Sequence, residues 1–114
     1  MRLIAFVLAV LLSFSVAAQG QTGIASYYGK KFHGRTTASG SRFDMYQLTA
    51  AHRSFPFGTK LIVTAVHTGK TVEVVVTDRG PFVKGRIIDL SYVAALKLGI
   101  VSAGIAEVVI DIAR

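Results

Sequence analysis

The chain has 114 residues, with 13 Lys and Arg against 6 Asp and Glu, three His and no cysteine. That length allows one domain, and the absence of cysteine excludes disulfides from whatever holds it together. A formal net charge of +7 favours an anionic partner through long-range attraction.

The first element is not part of the fold. MRLIAFVLAVLLSFSVAA has a basic start at Arg2, an apolar run from Leu3 to Leu12 and a small-residue exit at Val16-Ala17-Ala18. That is the pattern of a secretory signal peptide over residues 1–18, cut between Ala18 and Gln19. A membrane anchor is the competing reading, but the run is shorter than the ~20 apolar residues of a spanning helix, and Ser13 and Ser15 interrupt its end. Residues 19–114 then form an exported domain, periplasmic or secreted, that has lost Arg2 and carries +6. Outside the cytoplasm nucleic acid is not a partner; cell-wall polymer or a membrane surface is. About 96 residues without a disulfide is near the low end for a self-sufficient core, which suits a compact β architecture.

Along that domain, Gly23 to Gly29 (GIASYYG) reads as a short strand bounded by glycines. Residues 30–42 are loop-like. Lys60 to Val66 and Thr71 to Asp78 are the clearest strands, with His67-Thr68-Gly69-Lys70 as a hairpin turn between them. Arg79-Gly80-Pro81 ends the second strand. Arg86 to Asp89 is another strand, and Ser91 to Leu98 is a helix with Asp89 or Ser91 as N-cap and Gly99 as its stop. Ile105 to Ile112 is a last strand. Many short strands and one small helix predict a mainly β fold, a small barrel.

The six acids can be weighed singly. In Thr71 to Asp78, Val72, Val74, Val76 and Asp78 share one face, and Thr71, Glu73, Val75 and Thr77 the other. The apolar set faces the interior, so Asp78 stands at the barrel mouth. Apolar surroundings disfavour a charged carboxyl, as a general acid near neutral pH requires. A carboxylate that merely ties the turn backbone is the other reading, and both stay open here. Arg79 points to the opposite face unless the Gly80-Pro81 turn brings it back. Asp89 precedes the helix and reads first as a cap. Asp44 fixes a turn. Glu73, Glu107 and Asp111 read as solvated outer positions. His33, His52 and His67 are scattered without ligand spacing, so no metal and no cofactor is expected. Tyr27, Tyr28, Phe32, Tyr46 and Phe82 could stack on sugar faces or fill the core.

Four stretches together resemble a known family: GIASYYGKKFHGRTTASG, LTAAHRSFPFGTKLIV, VVVTDRGPFVKGRIIDLS and GIAEVVIDI. They are similar to the rare lipoprotein A (RlpA) family of septal-ring lytic transglycosylases, across essentially the whole exported domain. The resemblance implies a six-stranded double-psi β-barrel with one or two short helices, shared with expansins and family-45 endoglucanases. It implies endolytic cleavage of peptidoglycan between N-acetylmuramic acid and N-acetylglucosamine, favouring strands without stem peptides and leaving 1,6-anhydro-muramic ends. The aspartate of DRGP, Asp78, becomes the leading acid/base, and the histidine of TAAH, His52, its neighbour in the site. We place Ser41, Asp44, Tyr28, Arg79 and Asp89 along the substrate groove. Two features depart from the family. Its loop is usually TASGE, with a glutamate implicated in catalysis, whereas this chain has Ser41 there, and serine is no acid near neutral pH. The lipoprotein cysteine is absent, so no membrane anchor is expected; separately, a monomer is expected. A non-catalytic, expansin-like wall-binding module is the alternative.

Overall fold

Alternating apolar residues on the longest strands give this molecule its shape. The computed structural model describes residues 20–114; the expected signal segment, residues 1–18, lies outside the described residues. Six strands, β1 (Gln21–Tyr27), β2 (Thr49–Ala51), β3 (Lys60–Ala65), β4 (Thr71–Asp78), β5 (Arg86–Leu90) and β6 (Ala106–Ile112), close into a barrel. Their order around it is β1-β5-β2-β4-β3-β6. β1 with β5 and β2 with β4 are parallel, and the other four pairings are antiparallel. This is the six-stranded barrel that the resemblance implied.

The core follows from the pleat. Leu61, Val63 and Ala65 of β3, Val72, Val74 and Val76 of β4, and Val108 and Ile110 of β6 are buried, and exposed or half-exposed residues alternate with them. Ile88 and Leu90 of β5 join them, as do Ala25 and Ala50. The helix α1 (Tyr92–Leu98) packs Ala94, Ala95 and Leu98 onto this cluster. Cutting a fully buried side chain such as Leu61 to alanine costs about 2–5 kcal/mol.

The ends of α1 explain why it is so short. The Ser91 hydroxyl accepts the Ala94 N–H, so Ser91 and not Asp89 is the N-cap. At the other end Gly99 takes φ +81° and gives its N–H to Ala95 and Leu96, a left-handed cap that glycine adopts without a Cβ clash.

The first strand starts earlier than its bounding glycine suggests. Gly23 lies inside β1, where a Cβ would come within 2.6 Å of the Ile87 side chain. It is a close-approach residue, not a strand end. Ile87 itself is the extra residue of a bulge, because Ile24 pairs with Arg86 while Ala25 pairs with Ile88. A second bulge lies across β2 and β4, where Ala50 pairs with Val76 and Ala51 with Asp78, leaving Thr77 over. Between β1 and β2 the chain makes a short 3-10 turn, Lys30–Phe32.

Candidate active site

The end of β4 delivers Asp78 to a cleft at the barrel mouth. The inward stripe Val72, Val74, Val76 runs into the Thr77 bulge, and Asp78 emerges half-buried beyond it. Its carboxylate lines a cleft of about 280 Å³ with Tyr28, Phe32, Arg35, Thr36, Thr37 and Phe43.

Three donors converge on that carboxylate. The Ala38 and Arg79 backbone N–H groups both donate to Oδ1 at 2.9 Å. The Tyr28 hydroxyl donates to Oδ2 at 2.8 Å. Oδ1 thus has both lone pairs engaged, while Oδ2 keeps one lone pair open.

Each donor is delivered by local structure. Tyr28 follows β1, its N–H held by the Leu90 carbonyl at 3.0 Å. Its ring packs edge-on against Phe43 at 4.8 Å and beside Phe32 at 5.4 Å. Burial, and then the bond to Asp78 and the charges of Asp78 and Asp89, push its phenol well above the ordinary range, so it stays a donor. Ala38 comes from a small hairpin loop in which Thr36 bridges Arg42 and the Thr37 N–H reaches the Ser41 carbonyl at 2.7 Å. The Ser39 N–H fastens this loop to the Thr77 carbonyl at 3.2 Å.

Ser41 sits in that loop. Its hydroxyl and those of Thr37 and Ser39 form a triangle with sides of 2.9, 2.9 and 3.0 Å. Where the resemblance led us to expect a carboxylate, this loop carries three mutually bonded hydroxyls.

Arg79 turns away from Asp78. Its guanidinium donates to the carbonyls of His52 at 3.2 Å and Phe55 at 2.8 Å. It also lies over the Phe57 ring at 4.0 Å. His52 is 4% exposed and uses both ring nitrogens. Nδ1 accepts the Ser54 and Phe55 N–H groups, each at 3.1 Å, and Nε2 meets the Gln21 side-chain oxygen at 3.0 Å. Nε2 therefore carries the proton of a neutral ring. Burial, and then the charges of Arg53 and Arg79, lower its pKa. Its link to Asp78 runs through the backbone, where the His52 N–H donates to the Asp78 carbonyl at 3.1 Å.

The other groove candidates are dispersed. Asp44 accepts the Tyr46 N–H at 2.9 Å, 4.0 Å from His33 Nδ1, and so fixes a turn. Asp89 alternates with the buried Ile88 and Leu90, and its carboxylate accepts the Ser26 hydroxyl. Burial raises its pKa above the usual carboxylate range. The Ser26 bond and Arg86 oppose that shift, and Asp78 adds to it. Of the expected site residues only Asp78 and Tyr28 line the cleft; Ser41, Asp44, His52, Arg79 and Asp89 do not. Conversely, Arg35, Thr36, Thr37 and Phe43 line it without having been singled out. The only signal was their place in or just after the GRTTASG stretch, since loop residues carry no periodicity.

A family profile described as lytic transglycolase matches residues 20–110. The endolytic peptidoglycan transglycosylase RlpA of Vibrio cholerae is 53% identical over 92 residues, which is 81% of this chain and 35% of that protein. The chain spans 25 to 40% of the length of the curated relatives it matches. Among solved structures, the Streptomyces papain inhibitor aligns with a TM-score of 0.68 at 26% identity, over 84% of this chain and 96% of that one. A mutant Clavibacter michiganensis expansin in complex with cellohexaose aligns at 0.66 and 27% identity, over 84% and 51%.

Proposed function

The chain belongs to the RlpA-like family of double-psi-barrel lytic transglycosylases, and from that membership we propose that it cuts the glycan strands of peptidoglycan with Asp78 as both general acid and general base. The observation that carries this reading is the placement of one carboxylate in an aromatic-walled cleft with a single open lone pair.

The chemistry asks for one proton to go out and one to come back. Asp78 in its acid form holds the proton on Oδ2, because Oδ1 already accepts two N–H groups. It gives that proton to the oxygen linking N-acetylmuramic acid to N-acetylglucosamine as the C1–O bond breaks and positive charge develops at C1. The Tyr28 hydroxyl and the two N–H groups then stabilise the new carboxylate. The muramyl C6 oxygen attacks C1 and yields its proton to the same Oδ2, so the 1,6-anhydro ring closes and Asp78 is an acid again. No water is consumed. His52 acts as a positioning residue. Its ring fastens the 52–55 turn, whose carbonyls hold Arg79 and whose first N–H holds the Asp78 backbone.

Strands without stem peptides are the preferred substrate, and the cell wall or periplasm the site of action. A second reading has one specific support: Ser41 and its hydroxyl partners stand where the family carries glutamate. The barrel would then hold glycan without cutting it, as the related expansin holds cellohexaose. Digestion of peptide-stripped sacculi by residues 19–114, read by mass spectrometry, separates the two. Anhydro-muramyl products that vanish with Asp78→Asn establish the enzyme. Binding with no soluble product overturns it and leaves the module.

A further inference from the structure

Asp78 shares its cleft with a cation that the steps above leave unused. Arg35 lines the same cleft. Its backbone is fixed on both sides, with its N–H on the Phe32 carbonyl at 3.0 Å and its carbonyl accepting the Phe43 N–H at 2.7 Å. Its guanidinium lies over the Phe32 ring, 5.4 Å from the centroid, and the Lys31 ammonium approaches the same ring at 5.3 Å.

That guanidinium has no acid of its own. Among the described residues the ion pairs are His33–Asp44 and His67–Glu107, and neither involves Arg or Lys. The arginine side-chain hydrogen bonds among them belong to Arg42 and Arg79. Arg35 is thus an exposed cation at the cleft wall whose guanidinium makes no hydrogen bond to the described residues, while Asp78 takes all three of its bonds from other groups. A planar guanidinium held at a cleft wall without a partner fits a carboxylate from outside, two N–H groups to two oxygens. The surrounding charge favours the same visitor. Arg42 bridges into the Ala38 loop beside the cleft, and the chain as a whole carries a formal charge of +7. Long-range attraction then draws an anionic polymer toward the mouth.

We propose that Arg35 binds a carboxylate carried by the sugar next to the bond that Asp78 cuts, so that this cleft selects glycans whose sugar itself bears the anion. The inference rests on the peptidoglycan reading above and names the group that is read. The carboxylate available on such a strand is the lactyl group of muramic acid. It is an anion at the sugar itself when free; an attached stem peptide turns it into a neutral amide and carries its own carboxylates out along the peptide, away from the sugar. Phe32, Tyr28 and Phe43 offer apolar surface to the sugar ring beside it.

Binding measured on the non-cutting Asp78→Asn protein tests this with three probes: peptide-stripped glycan strands, peptide-bearing strands, and chitin oligosaccharide, which has no lactyl group. The stripped strands bind most tightly. Arg35→Gln weakens that binding by about tenfold, the size of one charge-assisted hydrogen bond, and leaves the other two probes unchanged. Arg35→Lys restores part of the loss, and Lys60→Gln, an exposed residue of β3, changes nothing at constant salt. Equal weakening toward all three probes, or equal wild-type affinity for stripped and peptide-bearing strands, overturns the proposal. Because the readout is binding, a failure to release anhydro products counts against the cutting and not against Arg35. Binding to none of the probes overturns both.

Discussion

Asp78 and Asp89 stand on opposite flanks of β2 at one level, since both pair with Ala51, one from β4 and one from β5. Strand spacing puts their Cα atoms roughly 10 Å apart. Their surroundings differ in kind. Asp78 follows the inward stripe of β4, opens onto the cleft and receives three donors. Asp89 alternates with the buried residues of β5, is absent from the cleft lining and receives one hydroxyl. Two identical side chains on one rung thus become a candidate acid/base and a structural carboxyl. The fold alone does not make that choice, because closely similar barrels serve a papain inhibitor and an expansin.

The comparison breaks first at Asp78. Asp78→Asn keeps the shape but can neither give nor take the proton, so turnover of stripped strands falls by roughly 10²–10⁴-fold with thermal stability nearly kept. Asp89→Asn changes turnover by less than about tenfold. If the two variants lose activity equally, the rung holds a pair of catalytic carboxyls and the distinction between them disappears.

Ser41→Glu sharpens it next. The substitution puts a carboxyl into the loop whose Ala38 N–H already holds Asp78. A second acid/base beside the first raises turnover by roughly 10²-fold, measured as anhydro-muramyl ends released per minute. An unchanged rate means that Asp78 alone sets the chemistry in this barrel. Tyr28→Phe has a smaller effect. It removes the donor on Oδ2 and leaves those on Oδ1, so kcat falls by about tenfold while affinity for the strand is kept.

Much of this was legible in the residues, and the rest fails for physical reasons. β3, β4 and their hairpin come from an alternation long enough to have only one phase. That same alternation leads up to Asp78, but the Thr77 bulge takes the carboxylate off the Val72, Val74 and Val76 face and onto the rung of Ala51, which strand parity alone does not foresee. The short helix is bracketed by Ser91 and Gly99. β2 was not legible, because three residues carry no period and its strand identity comes from β4 and β5 on either side. The two bulges, at Thr77 and Ile87, are likewise properties of strand pairs. Arg35 and Phe43 reach the cleft only through the folding of the loop. The two acceptor bonds of His52 exist only once the turn to Phe55 has formed.

The smallest effect is in stability against pH, where the two flanks pull in opposite directions. On the Asp78 side, His52 has a folded pKa below its ordinary 6.5, because burial and then the charges of Arg53 and Arg79 disfavour the imidazolium. The unfolded chain takes up that proton first, so this contribution to stability is lost as pH falls from about 6.5 through the folded value. On the other flank, Asp89 has a folded pKa above its ordinary 3.8. There the native state takes up the proton first, so the contribution is complete below 3.8 and is lost as pH rises through the folded value. Between those limits the two slopes oppose each other in the wild type. Thermal melts from pH 4 to pH 6.5 on single variants expose each slope. Asp89→Asn, freed of the acid-favoured term, loses stability on acidification more steeply than wild type. His52→Gln, freed of the other, loses less or gains. Parallel curves for the two variants would mean that neither flank titrates as its surroundings dictate.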